Sequence, residues 1–522
     1  MRNPTTEQIH SRRWATLAVL CLSLVIVVVD NTIVNVALPT LVRKLHASTA
    51  SLQWVVDAYT LALAGLLLTL GSLGDRIGRQ RTLAAGLATF GVGSALAAVS
   101  GSTAQLIACR VLMGVGAAAI LPATLSILTN VFTDPGERAR AIALWAGVSG
   151  LGVAIGPPLG GYLLEHFSWG SIFLVNIPIV LIALVAGRFV IPPSADQHPA
   201  KLDPLGALLS VAGLVALVYA IIEAPNNGWL SVSTIGVGAL GVAVIGGWIA
   251  WELRSSHPMV NLQIFRNRRF SAASFAITMI FLALFGWLFL LTQQLQFVLG
   301  YNTLQAGVRA LPFALAIGVA SPLAARLAAR FGTRVIVAVG LGGMAVGLGM
   351  AATSTVHTGY PFLLVASVIV GTSMGLAMAP ATESIMGSLP PAQAGVGSAV
   401  NDTTRELGGA VGVAIMGSVA ASVFASQLKG ALIHVPAAYA AQARASVGAA
   451  VTVGRLAPPA VGHALIAAAD HAFIAGADRA VFIAVGAAVL GSIAAAVFLP
   501  ARAVEAAAPA VAEEPVAVVA AV

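Results

Sequence analysis

Gly71-Ser72-Leu73-Gly74-Asp75-Arg76-Ile77-Gly78-Arg79-Gln80-Arg81 interrupts two apolar runs, Leu52 to Leu70 and Leu83 to Val99. Each run approaches the roughly 20 residues that a helix needs to cross a bilayer. The stretch therefore reads as a turn at a membrane border. Arg76, Arg79 and Arg81 place it on the cytoplasmic side by the positive-inside rule, and every other segment can be oriented from it.

Working outward, the sequence holds fourteen apolar segments, from 14-38 and 51-71 near the start to 397-424 and 477-499 near the end. An even number puts both termini on one side. Turns on the side of Arg76 carry Arg138, Arg140, Lys201, Arg254, Arg266, Arg268, Arg269, Arg326, Arg330 and Arg334, whereas the short turns opposite carry little beyond Arg43 and Lys44. The first run follows Arg2, Arg12 and Arg13 but contains Asp30, Asn31 and Asn35 and leads straight to another span, so it reads as a retained helix and not a cleaved signal. The expectation is an all-α polytopic membrane protein.

Composition agrees. The chain is 58% hydrophobic and 9% charged, with a mean hydropathy of +0.94, against about 25% charged in soluble domains. The net charge of +8 is scattered over short turns without a basic, aromatic-rich patch, which argues against nucleic acid as a partner. Cys21 and Cys109 both fall in apolar runs and read as packing residues, with no disulfide framework or zinc site. Arg330-Phe331-Gly332-Thr333-Arg334 echoes Arg76 to Gln80, with Ala329 where the first copy has Asp75. Such a repeat is expected of transporter folds. The implied division is a six-helix bundle over 1-191, a linker with two extra spans over 192-268, and a second bundle over 269-499. A long outer loop, 427-475, and a disordered cytoplasmic tail, 500-522, complete it.

At these residues the chain resembles the major facilitator superfamily, and within it the fourteen-helix drug:proton antiporters. Gly71 to Arg81 resembles the signature loop between the second and third helices. Asp30-Asn31-Thr32-Ile33-Val34-Asn35-Val36-Ala37-Leu38-Pro39 resembles the first-helix motif, and Leu106 to Gly114, with Arg110, the fourth-helix arginine motif. Gly147 to Gly161 resembles the antiporter motif of the fifth helix. The resemblance implies a major facilitator fold of two six-helix bundles plus an inserted pair, in the cell membrane. It implies export of small lipophilic compounds, cationic ones among them, driven by the proton gradient without a cofactor. The expected partners are substrate, protons and lipids around a monomer. Two other readings are a dedicated exporter of one antibiotic, lipid or siderophore, and a non-transporting sensor on the same fold.

The intramembrane charges point to the coupling site, because an ionisable group in hydrocarbon is costly. Asp30 lies roughly 13 Å before Pro39 along its helix, and Arg110 roughly 9 Å into the fourth. Asp57 is expected in the same layer. Burial disfavours a charged carboxylate and a nearby arginine favours it, so an aspartate facing a cavity suits proton exchange. Asp30 is the expected proton carrier, Arg110 its control and Asp57 secondary; the alternative is a static buried ion pair.

Asn31 and Asn35, one turn apart, would extend the polar stripe beside Asp30. Asp402 and Glu406, four apart in the thirteenth span, would attract a cation, or would merely pair with Arg405. Gly71, Gly74, Asp75, Arg76, Gly78, Arg79 and Arg81 would form a latch between the bundles, or serve topology alone. Gly147, Gly152, Gly156, Pro157 and Gly160 would form a bendable seam between the halves, or ordinary helix packing. Among the aromatic residues, Trp54, Tyr59, Phe285, Trp287 and Phe313 are candidates for the cavity wall, or else lipid-facing or packing residues. Gly371-Thr372-Ser373-Met374-Gly375 matches a hydrolase nucleophile pattern but lies in an apolar helical run where a strand-to-helix elbow cannot form, so an enzyme is not expected.

Overall fold

The computed structural model describes residues 6–195, 202–389, 394–433 and 435–500. The expectations for Arg2, for Lys201 and for the tail beyond 500 lie outside the described residues. The helices of the first half are α1 (Thr6–Leu45), α2 (Thr49–Ile77), α3 (Arg79–Ala98), α4 (Thr103–Val131), α5 (Pro135–His166) and α6 (Ser171–Val190). The inserted pair is α7 (Pro204–Asn227) and α8 (Val232–Arg254). The second half holds α9 (Arg268–Val298), α10 (Thr303–Phe331), α11 (Thr333–Ala351), α12 (Tyr360–Met386), α13 (Ala394–Gln427) and α14 (Pro459–Phe498). Among the described residues there is no strand.

Thirteen of these helices are long and apolar enough to cross a membrane. The fourteenth, α3, has 20 residues, but it opens on Arg79-Gln80-Arg81 and is rich in Gly, Ala, Thr and Ser, which dilutes its hydropathy. It packs along α4 all the same, where Gly86 faces Gly116 and Ala119 and Gly93 faces Met113.

Three boundaries differ from the sequence expectation. The polar stretch 71–81 is not an irregular turn: α2 continues to Ile77, α3 starts at Arg79, and Gly78 alone, at φ +110°, turns the chain. An L residue rarely adopts that conformation, and glycine adopts it freely. Gly332, at φ +88°, does the same between α10 and α11, so the echo is one of backbone as well as of sequence. α1 runs through Pro39 to Leu45, since a proline inside a membrane helix is tolerated when neighbouring groups satisfy the freed carbonyl. α14 begins at Pro459, well before 477, so the outer loop is shorter than expected and carries helices Ala437–Ala445 and Val447–Leu456.

The halves meet at the face where α2 begins. Gln53 donates to Val413 O, Ala414 O and the Ser418 hydroxyl at 3.0, 2.8 and 3.2 Å. Gln296 donates to Val36 O at 2.9 Å, and Thr303 to Gly161 O at 3.3 Å and Glu165 at 3.2 Å. Toward the opposite face α5 and α10 lose this packing, and a side chain placed at Gly147, Gly150 or Gly318 would meet nothing within 4 Å. The contacts between the halves named here thus all lie toward the Ser48 face. The inserted pair flanks this seam: Val218 and Ile222 of α7 cluster with Leu61 of α2 and with Ala410 and Ala414 of α13. Trp229, just past α7, donates to the Ser422 hydroxyl at 3.0 Å.

Candidate functional site

α1 and α4 bring Asp30 and Arg110 together in the first half. Both are sealed from solvent, at 0% and 1% exposure, and Arg110 Nη1 donates to Asp30 Oδ2. Arg110 Nε donates to Val55 O of α2 at 2.9 Å, and the guanidinium lies over the Tyr59 ring, 4.2 Å from its centroid. On the other side Asn176 of α6 donates to Asp30 Oδ1 at 3.4 Å and to the Ser94 hydroxyl at 3.0 Å. Ser94 in turn donates to Phe173 O at 2.8 Å. Five helices therefore converge on one ion pair. Removing two charges from water costs several kcal/mol per ion, which attraction offsets only with good geometry and further hydrogen bonds. Adding a proton to Asp30 removes the charge–charge attraction to Arg110 and leaves only hydrogen bonding. An apolar cavity of about 200 Å³ runs between α1, α5 and α6, with Asn176 in its wall.

Asp57 does not join this pair. Val55 and Tyr59, one turn apart, face α4, and Asp57 lies between them on the opposite side of α2. It shares the face of Trp54 and Leu61, which packs on α7 and α13. Asp57 is wholly buried and neither carboxylate oxygen has a hydrogen-bond partner among the described residues. The expected convergence of three charges is thus a pair plus a separate carboxylate. Asn31 and Asn35 are half-buried, and Asn35 donates to Asn31 O at 3.1 Å, spending that amide within α1.

Asp402 accepts from Arg405 at 3.4 Å and from Asn401 at 3.4 Å. Arg405 also reaches Met378 Sδ at 3.4 Å and lies 5.1 Å from the centre of the Phe281 ring. Glu406, one turn on, keeps a buried Oε2 without a partner. Trp287 and Phe313 are buried against each other at 6.2 Å and act as packing groups. Trp54 stacks obliquely on Tyr219 of α7 at 6.0 Å, and Phe285 is half-buried over Gly409.

The stretch 71–81 is tied to its own half and to the start of the linker. Arg79 Nε donates to Asp75 at 2.8 Å, the Arg79 amide to Ser194 O at 2.8 Å, and Gln80 to Gly187 O at 3.3 Å. Gly71 abuts Pro122, Gly74 abuts Thr82, and Arg76 and Arg81 are exposed. The contacts named here stay within the first half and the start of the linker, so among the described residues they form no latch between the bundles.

The glycines of α5 differ from the expected seam. Gly152 packs on Val28, Gly156 on Thr32 and Gly160 on Ile33, all on α1, so this face joins helices of one half; Gly147 meets nothing. Small-residue spacing marks a close helix contact without naming its partner. The junction between the halves lies on the adjoining face, where Pro157 and Pro158 touch Gly307, and Gly161 touches Thr303 and Leu304. A Gly307→Val side chain would strike Pro157 O. Overpacking of this kind costs about 1–3 kcal/mol, so the variant is expected to shift the population toward separation at the Ser48 face by roughly tenfold or more. Spin-label distances between the ends of α5 and α10 measure that shift.

Sequence reasoning missed Asn176 and Ser94. The signal for Asn176 was a single amide inside the apolar run of α6; nothing distinguished Ser94 from other small residues. Among the described residues no group of three or more His, Cys, Asp or Glu side chains could hold a metal ion, and the 371–375 match lies within the continuous helix α12.

The model of the Major Facilitator Superfamily matches residues 20–413. The chain is 36% identical to the multidrug efflux pump LfrA of Mycolicibacterium smegmatis over 469 residues, 89% of this chain and 92% of that protein. It is 36% identical to the methyl viologen resistance protein SmvA of Salmonella typhimurium, over 87% and 92% of the two chains. A bacterial homologue of the human lysosomal transporter Spinster, in an inward-facing and unoccupied conformation, superposes with a TM-score of 0.63 over 92% of this chain and 97% of that one, at 16% identity. That last likeness is one of fold.

Proposed function

This chain belongs to the Major Facilitator Superfamily, and we propose that it exports lipophilic compounds, cations among them, in exchange for protons. It is read as a multi-pass carrier in the cell membrane, a transporter and not an enzyme, active as a monomer with both termini in the cytoplasm. The proton gradient is its energy source, and no cofactor takes part.

The observation that carries this reading is the buried Asp30–Arg110 pair. A carboxylate sealed from water and held by one guanidinium and one amide has two states that the surrounding helices can distinguish. Ionised, it clamps α1 to α4. Protonated, it releases Arg110, which remains anchored to α2 through Val55 O. Proton occupancy thereby biases how α1, α2 and α4 pack, and α1 and α2 both touch the second half. We read the Gly78 face as the cytoplasmic one, from which substrate would enter between the halves. Asp402 and Glu406 of α13 offer negative charge to a cationic substrate on that path. Asp57 is a second, weaker proton site, on the face of α2 that packs against α7.

The stretch 71–81 is read as a cytoplasmic latch that engages when that side closes. The Asp75–Arg79 pair is partly exposed, and such i,i+4 pairs contribute only about 0.3–0.5 kcal/mol, so its role is in switching and not in holding the fold. Asp75→Asn is expected to slow turnover while leaving the proton affinity of the Asp30 site unchanged. The experiment compares the substrate-transport rate with proton release on substrate binding. A change in proton release as large as that of Arg110→Ala would remove the distinction between latch and proton site.

The function as a whole is tested by reconstituting the purified protein in proteoliposomes. An imposed pH gradient should drive uptake of tetraphenylphosphonium, and dissipating the gradient should stop it.

A further inference from the structure

Gln53 and Asp57 stand one turn apart on the face of α2 that meets the second half. Gln53 Nε2 donates to Val413 O, Ala414 O and the Ser418 hydroxyl of α13, and two carbonyl acceptors fix that end of the amide as its nitrogen. Its Oε1 is buried and receives no hydrogen bond among the described residues. Leu61, one turn after Asp57, clusters with Ala410 and Ala414 of α13 and with Val218 and Ile222 of α7. Asp57 therefore lies between two residues that touch α13, on the junction of the halves, at 0% exposure, and neither of its oxygens has a hydrogen-bond partner among the described residues. A helical side chain leans toward the turn before it, so the Asp57 carboxyl leans toward Gln53.

Two acceptors without a donor thus share one turn of the junction. The sequence around them offers no cation: Val211 to Ile222 of α7 and Ala410 to Ser418 of α13 hold no charged side chain, and α2 holds none besides Asp57 before Asp75. Glu406 lies one turn before Ala410. Glu223 follows Ile222 and accepts from Asn226 at 3.0 Å. Arg110 and Asp30 are on the far side of α2, with Val55 and Tyr59. Tyr219, the one titratable group on that stretch of α7, rests on Trp54. One proton on Asp57 supplies the missing donor to Gln53 Oε1 and removes an unpaired charge whose burial is costly. We propose that Asp57 is a positioning residue that locks the junction of the halves through Gln53. Protonated, its O–H donates to Gln53 Oε1 and steadies the amide that clasps α13. Ionised, it regains water only when α2 parts from α13. The proton is exchanged with water that reaches the junction when the Ser48 face parts. Acid on that side therefore favours closure, and closure weakens as the pH rises.

This rests on the reading of Asp57 as a proton site above. The test uses the purified full chain with spin labels at the Ser48-face ends of α2 and α13. In the wild type the population with these ends apart is expected to rise about tenfold as the pH is raised, the size of one hydrogen bond lost at the junction. Asp57→Asn keeps a donor for Gln53 and cannot ionise, so it should stay closed over the same range with its melting temperature retained. Asp30→Asn, which leaves the junction intact, should keep the wild-type response. Infrared difference spectra between the wild type and Asp57→Asn at neutral pH supply the second measurement, and the band lost should be the C=O stretch of a hydrogen-bonded carboxylic acid. Loss of that band together with an unaltered pH response in Asp57→Asn would overturn the lock alone, as would disappearance of the response in Asp30→Asn. Loss of carboxylate bands only, at every pH, would overturn the reading of Asp57 as a proton site, and the lock with it.

Discussion

Asp30→Asn is expected to abolish accumulation against a gradient while leaving exchange down a gradient in place. The asparagine keeps the shape of the side chain and an acceptor oxygen for Arg110, but it cannot change charge. With no site whose proton affinity differs between the two faces, the gradient has nothing to act on. By reciprocity, a carrier whose substrate affinity no longer depends on protons has protons that no longer depend on substrate. The accumulation ratio should therefore drop to about 1, the value for an uncoupled carrier. Full gradient-driven uptake by well-expressed Asp30→Asn would reduce the pair to a static structural bridge.

Arg110→Ala is expected to harm both stability and coupling, for separable reasons. It leaves Asp30 buried with only the Asn176 amide at 3.4 Å, and removing one partner of a buried ion pair costs about 3–5 kcal/mol. It also removes the cation packed against Tyr59. Adding Asp30→Asn to Arg110→Ala removes the stranded charge, so much of the lost stability should return, as it does when both partners of a buried interaction are replaced. Transport coupling should not return. Thermal unfolding of the single and double variants, run beside uptake measurements, separates the two effects. Recovery of coupling in the double variant would show that neither Asp30 nor Arg110 is needed for proton exchange.

The large features were legible because hydropathy records the hydrocarbon layer directly. The segment starting near Leu52 was readable as a span, but its end was not: α2 runs to Ile77 because Asp75 and Arg76 leave the hydrocarbon without leaving the helix. The same reason moved the end of α1 past Pro39. α3 was found from its sequence although its diluted hydropathy separates it from the other spans. Asp30 and Arg110 were legible because a charge in an apolar run has few bland explanations.

What sequence could not supply was direction. Depth along a helix placed Asp57 in the same layer as Asp30, yet its azimuth, two residues from both Val55 and Tyr59, turns it toward α7 and α13. The glycine spacing of α5 marked a tight contact, and only the packing of Val28, Thr32 and Ile33 assigns that contact to α1. Asn176 and Ser94 complete the site from helices that carry no charge near that depth, so their role exists only once α3 and α6 are packed beside α1.

The central claim is that Asp30 carries the exchanged proton and that Arg110 controls it. The most direct measurement is proton release from the purified protein on adding tetraphenylphosphonium in weakly buffered detergent solution near neutral pH. The account predicts a release from the wild type that disappears in Asp30→Asn and changes its pH dependence in Arg110→Ala. An undiminished release from Asp30→Asn would contradict it and would place the coupling proton elsewhere, with Asp57 and Glu406 the next groups to examine.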